Sequence, residues 1–333
     1  MDPAELKSFE GFLAPAFTCF ENNEEKTLNL AHIDDYAEWL QRNGAVGVLG
    51  QYIPTTVNSI TGEGPILGKI ERQLNAEAWS IACMKHELKM LIQIGGAPMP
   101  DVLDLARHAS NLNINGVVCI PELFYKPSDV KQLVGYCKIV AKNCGRHPFF
   151  YYHLPHYTDV FLDMPEFCEL AERTIPNFAG IEYSHSDLAM AAKCLAPNRI
   201  IILSDSRMLS SGLLLGFKTF CMAAFNMVPN TMRDIYGNMK TGQINLAKRE
   251  QKLLNSSIRE HMTRQKKGSW VKAMKHWFNE ELKKPENETP FTAGHTLSFF
   301  EIPITEIKKT LRMYLKPTAP NVIRSPKIQH FAG

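Results

Sequence analysis

The feature of this 333-residue chain that most limits its fold is a series of eight short apolar segments separated by helical segments. The apolar segments are rich in Val, Ile, Phe and Tyr and are nearly continuous rather than alternating, which is typical of parallel strands buried on both faces. They are Gly11–Thr18, Ala45–Gly50, Lys89–Gly95, Gly116–Pro121, Phe149–Pro155, Gly180–Ser184, Ile200–Asp205 and Thr219–Asn226. Eight β/α units predict an α/β fold, a (β/α)8 TIM barrel over residues 9–228, with a doubly wound sheet as the alternative.

Beyond the eighth apolar segment the pattern is helical from Thr231 to about Lys284. We predict a C-terminal helical extension over residues 229–315 that packs on the barrel and ends with a helix at Ile304–Leu315. Residues 316–333 contain three prolines and no periodicity. This stretch is therefore predicted to be a mobile tail.

Composition restricts the classes of partner and the compartment. The net charge of +3 is small for a chain of this length, so neither a nucleic-acid nor a membrane partner is expected. No apolar run approaches the roughly 20 residues that span a bilayer, and the acidic N-terminus lacks the apolar region of a signal peptide. Eight scattered cysteines without a CxxC pair predict reduced core thiols in a cytoplasmic protein.

In a barrel of this kind, functional groups lie at the carboxyl ends of strands and in the loops that follow them. This rule selects a small set of polar residues as candidates. They are Thr61, Gly62 and Glu63 after the second strand, Tyr152 on the fifth, Glu182 and Ser184 on the sixth, Asp205 on the seventh and Asn226 on the eighth.

Several of these segments resemble the N-acetylneuraminate lyase and dihydrodipicolinate synthase superfamily. The segment Tyr151–Pro155, which reads YYHLP, closely resembles the tyrosine–histidine–x–proline motif of animal N-acetylneuraminate lyases. Further similar segments are Gly11–Thr18, Thr61–Gly64, Pro176–Ile181 and Gly268–Met274. The resemblance extends from about Phe9 to Phe278, and it is the combination of segments that makes it specific.

The resemblance implies a class I aldolase that cleaves sialic acid to pyruvate and N-acetylmannosamine. Such an enzyme uses a lysine amine to form a Schiff base with the keto carbon and a tyrosine hydroxyl to shuttle a proton. Tyr152 matches the tyrosine. The resemblance implies substrate-binding roles for Thr61, Gly62, Glu63, Ser184, Asp205 and Asn226, and it implies no metal and no other cofactor.

The lysine position of the family motif is occupied by Glu182, because the chain reads Gly-Ile-Glu where relatives read glycine–leucine–lysine. A carboxylate cannot form a Schiff base. An ionised Glu182 also repels the carboxylate of a keto acid, by about 4 kcal/mol at about 4 Å and an effective dielectric near 20. We therefore predict a lyase-like protein without Schiff-base aldolase activity.

Other departures from the family pattern support this prediction. Ile60 replaces one of two adjacent hydroxyl residues in the carboxylate loop, and extra residues near Tyr52–Asn58 are predicted to precede that loop. Ala223 and Ala224 stand where relatives carry serine and threonine. A site built on hydrogen bonds loses affinity steeply when its polar groups are replaced.

Two alternatives remain open from the sequence. Lys126, in the loop after the fourth strand, is the candidate for a displaced Schiff-base lysine in an active or altered aldolase. A zinc site is the other alternative, built from His153, His156, Glu182, His185 and Asp205. The expected partners are a small keto acid or sugar acid, together with a homo-tetramer or a hetero-oligomer that includes an active relative. Phe124 and Tyr125 occupy the loop that in relatives reaches a neighbouring site.

Overall fold

The computed structural model describes residues 9–44, 55–264 and 269–284. The described residues form a closed barrel of eight parallel strands in which each strand pairs with the next and the last pairs with the first. The strands are β1 (Gly11–Pro15), β2 (Thr55–Val57), β3 (Met90–Gln93), β4 (Gly116–Cys119), β5 (Phe149–His153), β6 (Phe178–Tyr183), β7 (Ile200–Leu203) and β8 (Thr219–Cys221). The predicted (β/α)8 fold is confirmed.

Helices surround the strands and continue beyond β8. They are α1 (Ile33–Gly44), α2 (Lys69–Lys85), α3 (Met99–Ser110), α4 (Val130–Lys142), α5 (Pro155–Thr158), α6 (Met164–Thr174), α7 (Leu188–Lys193), α8 (Leu209–Leu214), α9 (Pro229–Lys240), α10 (Ile244–Arg264) and α11 (Trp270–Leu282). Four helices begin with a side-chain cap: Asp129 for α4, Asp163 for α6, Asp187 for α7 and Ser269 for α11. Each cap accepts a hydrogen bond from a first-turn backbone N–H that has no partner within the helix.

The strand side chains form two apolar layers because successive residues point to opposite faces. On β6, Ile181 and Tyr183 pack in the layer between the strands and the helices. The barrel interior is filled by residues such as Leu91, Val118 and Phe150. The residue between Ile181 and Tyr183 is Glu182, which therefore points towards the interior.

The second strand is where the sequence prediction was wrong. The apolar segment Ala45–Gly50 lies outside the described residues, and β2 is Thr55–Val57, within the stretch that we predicted to be an insertion. Thr55 pairs with Ala14 of β1, and its hydroxyl donates to the Ala14 carbonyl oxygen over 2.8 Å. β-Branched threonines suit a strand. Here, pairing with the neighbouring strands determines which segment forms β2, and the apolar character of the local sequence does not.

The eighth strand is shorter than predicted. It ends at Cys221, and Ala223–Asn226 form a 3-10 turn in which the Phe225 N–H donates to the Met222 carbonyl oxygen. The turn carries Ala223 and Ala224 across the carboxyl end of the barrel instead of along the sheet.

The helices after the barrel confirm the predicted C-terminal helical additions. Helix α9 packs on α10, and α10 packs on α11. The predicted helix at Ile304–Leu315 and the predicted tail at 316–333 lie outside the described residues. Among the described helices, none is both long and apolar enough to cross a bilayer. All eight cysteines are buried and unpaired, as predicted.

Gly180 and Gly135 provide a matched test of the barrel geometry. Gly180 has a φ of 146°, and an added Cβ would lie 1.8 Å from the Ile200 carbonyl oxygen, whereas a Cβ at Gly135 in α4 meets nothing within 4 Å. We expect Gly180→Ala to lower the free energy of unfolding by about 3 kcal/mol or more, because backbone must move. Gly135→Ala should raise it by about 0.5–1 kcal/mol, since alanine favours the helix. Urea unfolding measures both, and equal effects would contradict the barrel register.

Candidate functional site

A cavity of about 320 Å³ opens at the carboxyl ends of the strands. Its wall comes from the carboxyl ends of β1, β5, β6 and β8 and from the segments that follow β2, β5, β6, β7 and β8, and its roof comes from α10 and α11. The wall residues include Ser59, Thr61, Tyr152, His156, Glu182, Ser184, His185, Ser204, Asp205, Arg207, Ala223 and Ala224, and the roof residues are Ile258, Met262, Trp270 and Met274. The volume lies at the small end of the range for ligand pockets.

Glu182 lies at the margin of this cavity and is only 1% exposed. Its Oε1 accepts a hydrogen bond of 2.7 Å from the Ser204 hydroxyl, which follows β7. Its Oε2 has no hydrogen bond of ordinary geometry among the described residues. The Tyr152 hydroxyl and the Cys221 thiol nevertheless lie near enough to favour the ionised carboxylate.

Burial raises the pKa of Glu182 to about 7, and the Ser204, Cys221 and Tyr152 donors offset part of that rise. The physical cause is desolvation, which penalises a charge in a site of low dielectric constant. Near neutral pH the carboxyl group therefore exchanges between its protonated and ionised forms. The protonation state of the cavity depends on this one side chain more than on any surface carboxylate.

Tyr152 stands beside Glu182, because the two residues are in register on the paired strands β5 and β6. Burial is the main cause that raises the pKa of the Tyr152 hydroxyl well above its usual value, and the nearby Glu182 charge raises it further. A hydrogen bond with Ser184 acts in the opposite direction. The hydroxyl thus stays protonated at neutral pH and is available as a donor to an oxyanion or a ligand oxygen.

The remaining candidates from the sequence divide into two groups. Thr61, Ser184 and Asp205 line the cavity together with Tyr152 and Glu182. Gly62, Glu63 and Asn226 are not among the described lining residues. They lie beside the cavity, and their roles in substrate binding stay predictions.

The contacts of Gly62, Glu63 and Asn226 show how these residues support the loops around the cavity. The Gly62 carbonyl accepts from the Thr18 hydroxyl over 2.5 Å. Glu63 has a left-handed backbone with a φ of 57° at the start of a short 3-10 turn. Asn226 is fully buried, accepts from the Tyr36 hydroxyl over 2.7 Å and donates to the Pro15 carbonyl over 2.9 Å. These bonds connect the loops at the carboxyl end of the barrel.

Arg207 is a cavity residue that the sequence reasoning missed. Its guanidinium binds both carboxylate oxygens of Asp205, with Nε–Oδ1 and Nη2–Oδ2 distances of 2.9 and 2.7 Å. This bidentate pair neutralises Asp205. The sequence indicated only that Asp205 and Arg207 lie two positions apart in the loop after β7. Such a spacing within a loop does not by itself predict an ion pair.

The four roof residues were also missed. The sequence pattern marked Gly268–Met274 as a similar segment without assigning it to the cavity. Ile258 and Met262 lie one turn apart on α10, and Trp270 and Met274 lie one turn apart on α11. Residues at this spacing share one helix face, so both helices present apolar side chains to the cavity.

The histidines form an aromatic cluster. The ring centroids of His156 and His185 are 5.1 Å apart, and those of His153 and His185 are 6.0 Å apart. Burial lowers the pKa of His153 to about 3, with a further lowering by His185, so its imidazole is neutral. Within residues 9–44, 55–264 and 269–284, no three His, Cys, Asp or Glu side chains converge as metal ligands. The geometry therefore does not support the zinc alternative.

Lys126 lies apart from the cavity. Its Nζ is 3.0 Å from Oδ2 of Asp159, and its side chain is 40% exposed. It is not among the described residues that line the cavity. The neighbouring Phe124 and Tyr125 are 81% and 82% exposed and contact each other edge to face.

The closed barrel defines a (β/α)8-barrel protein with a cavity at the carboxyl ends of its strands, the end at which this fold carries functional sites. A family model described as the dihydrodipicolinate synthetase family matches residues 8–288. The chain belongs to this family, and the resemblance inferred from its motifs is confirmed.

Known relatives are N-acetylneuraminate lyases. The lyase of Rattus norvegicus is 28% identical over 257 residues, which cover 76% of this chain and 74% of that protein. N-acetylneuraminate lyase A of Xenopus laevis is 31% identical over 191 residues, so the match spans only 60% of that relative. The solved structure of the Proteus mirabilis lyase has a TM-score of 0.76 at 24% identity and covers 86% of this chain and 90% of its own. The latter comparison shows the common fold.

The raised pKa of Glu182 predicts a pH-dependent stability difference between the protein and a Glu182→Gln variant. Below pH 4.5 the carboxyl group is protonated in both the folded and the unfolded state. Between pH 4.5 and about 7 the unfolded chain loses the proton while the folded protein keeps it, so stability falls as pH rises. The amide lacks this loss, so from pH 4.5 to about pH 8 the difference should move in favour of the variant by about 3 kcal/mol.

Urea unfolding at several pH values measures this difference. Glu25→Gln, which removes an exposed carboxyl group that does not line the cavity, is the matched control. A stability difference between Glu182→Gln and the parent protein that does not change with pH would contradict the raised pKa.

Proposed function

We propose that this chain is an N-acetylneuraminate lyase-like protein that binds a small polyhydroxylated ligand without forming a Schiff base. The observation that carries the proposal is Glu182, a carboxyl group at the cavity margin in the position that the family motif assigns to lysine. Its carboxyl group supplies no nucleophilic nitrogen for a keto carbon. Family membership supports the location of the site, and Glu182 separates its chemistry from that of an aldolase.

The other cavity residues support the absence of covalent chemistry. No lysine is found among the described residues that line the cavity. The guanidinium of Arg207 is the closest substitute for a lysine amine among the described lining residues, but it is bound to Asp205. A guanidinium is also protonated at any physiological pH. A Schiff base needs a free amine, so the described lining provides no substitute for a lysine at position 182.

The alternative of an active aldolase with a displaced lysine has less support. Lys126 would have to leave its ion pair with Asp159 and reach a cavity that it does not line. The loop that carries it is exposed, as Phe124 and Tyr125 show. No observation on the described chain favours this alternative over non-covalent binding.

The walls of the cavity support a ligand rich in hydroxyl groups. Ser59, Thr61, Ser184 and Ser204 supply hydroxyl donors and acceptors, and Tyr152 supplies a phenol. The apolar roof can cover the C–H face of a sugar-derived molecule. The keto acid or sugar acid expected from the sequence would meet a like charge and be repelled whenever Glu182 is ionised.

Reductive trapping tests the proposal directly. The purified protein is incubated with pyruvate and borohydride, and its intact mass and peptide map are determined. We expect no covalent adduct, because position 182 carries no amine. The rat lyase serves as the trapping control under the same conditions. An adduct on Lys126 would overturn the proposal in favour of a displaced lysine.

A Glu182→Lys variant sharpens the same experiment. We expect it to gain a borohydride-trapped pyruvate adduct at position 182, because an amine there faces the cavity and desolvation lowers its pKa towards the nucleophilic free-base form. Lys126→Arg in the Glu182→Lys background keeps the charge of the loop and should leave the adduct unchanged. A peptide map that locates the adduct elsewhere would contradict the assignment of position 182.

We also propose that the chain functions in the cytoplasm as an oligomer, either with copies of itself or with an active relative. The exposed aromatic pair Phe124 and Tyr125 supports an interface at the loop after β4, since aromatic residues are enriched at interfaces. Light scattering should give an oligomeric mass for the parent protein and a lower mass for Phe124→Ser with Tyr125→Ser. Leu253→Ser, at a half-exposed leucine on α10, is the control and should keep the mass. An unchanged mass for the double variant would exclude this loop as the interface.

A further inference from the structure

The charged groups of the cavity do not balance. Asp205 is neutralised by the two hydrogen bonds of Arg207. Glu182 is the remaining carboxyl group, and no described lysine or arginine forms an ion pair with it. When Glu182 is ionised, no described lysine or arginine side chain of the cavity compensates its negative charge.

The unused hydrogen-bonding capacity of Glu182 has a definite position. Oε1 is occupied by the Ser204 hydroxyl at 2.7 Å. Oε2 is buried and has no hydrogen bond of ordinary geometry among the described residues. The neutral Tyr152 and Cys221 donors nearby offset only part of the cost of burying the charge, and a charged donor from a ligand would satisfy Oε2 more fully.

We propose that the cavity selects a ligand that carries a protonated primary amine, of the amino-sugar class, and that this ammonium group donates to Oε2 of Glu182. The inference rests on the proposed non-covalent function and names its ligand class. An ammonium group offers three donors, so it can bind Oε2 and neighbouring hydroxyls such as Ser184 at once. A lysine at this position would repel the same ligand, so the substitution inverts the charge preference of the site.

Other ligand classes fit these contacts less well. A free carboxylate meets the like charge of Glu182. The only guanidinium among the described lining residues, that of Arg207, is already bound to both carboxylate oxygens of Asp205. A divalent metal ion needs several ligating groups around it, and the described residues provide no such cluster. An N-acetylated amine keeps the shape of an amino sugar but lacks the positive charge.

Titratable groups on the neighbouring strands and on the segments that follow them face Glu182. Tyr152 on β5 and Cys221 on β8 both have pKa values raised well above their usual values by burial, so they stay neutral. Asp205 and Arg207 after β7 neutralise each other, His156 lies on α5, and His185 lies in the loop after β6. Because ammonium binding requires the ionised carboxylate, affinity should fall as pH falls below about 7.

The test uses ligands matched in shape but not in charge. Binding of D-mannosamine and of N-acetyl-D-mannosamine to the 333-residue chain is measured by calorimetry and by ligand-observed NMR. We expect the amine to bind about 10-fold or more tightly than the amide, the effect of one charge-assisted hydrogen bond. D-Glucosamine and its N-acetyl derivative repeat the comparison with a different sugar.

Two further measurements assign the preference to Glu182. In Glu182→Gln the advantage of the amine should disappear, whereas Glu25→Gln should keep it. In the parent protein, amine affinity should fall on the order of 15-fold between about pH 7 and pH 5.5, as the ionised fraction of a carboxyl group with a pKa of about 7 falls. This pH measurement keeps the proposal falsifiable even where Glu182→Gln does not fold, because an amine affinity that does not fall over this pH range would overturn it.

The outcomes separate the two proposals. Equal affinity for amine and amide, tighter binding of pyruvate or N-acetylneuraminate, or no binding of either amino sugar at millimolar concentration would each overturn the amine preference. An amine preference that persists in Glu182→Gln would overturn the role of Glu182. Failure of the non-covalent function itself would appear instead as a borohydride-trapped adduct in the parent protein.

Discussion

The chemistry of the cavity depends on one physical constraint, the burial of the Glu182 carboxyl group inside the barrel. Water reaches about 1% of the residue, so hydration cannot stabilise its charge. The Ser204 hydroxyl supplies the hydrogen bond of good geometry, and together with the Cys221 thiol and the Tyr152 hydroxyl it offsets only part of the desolvation that raises the pKa to about 7. A small change in the surroundings, such as a donor from a ligand, therefore shifts the group between its two charge states.

The barrel register brings the groups around Glu182 together. Tyr152 is its partner on β5, and Ser204 begins the loop that follows its neighbour β7. A slip of one residue on β6 would turn Glu182 to the helix side and bring Ile181 or Tyr183 inward. Gly180 helps to hold that register, because its positive φ and close approach to the Ile200 carbonyl exclude a side chain. The site is in this sense a consequence of strand pairing rather than of loop sequence.

The sequence was sufficient to predict the barrel, because buried parallel strands give short continuous apolar segments and the helices between them follow a different pattern. It also led to Tyr152, Glu182, Ser184 and Asp205, since the ends of strands can be read from the same pattern. It failed at β2, where Thr55–Val57 form the strand although a more apolar segment precedes them. Strand choice there depends on pairing with β1, which no local pattern reports.

The helical roof was beyond sequence reasoning for a similar reason, because the docking of α10 and α11 over the barrel is set by packing between distant segments. That roof changes how the cavity can discriminate among ligands. Trp270 and Met274 cover one side with apolar surface, while serine and threonine hydroxyls line the other. Apolar cover and neutral hydroxyls recognise many sugars alike, since most sugars present both C–H faces and hydroxyl groups. With Asp205 and Arg207 paired, the carboxyl group of Glu182 is the feature of the described cavity that distinguishes ligands by charge. Both the proposed loss of Schiff-base chemistry and the proposed preference for a charged amine therefore depend on this single residue.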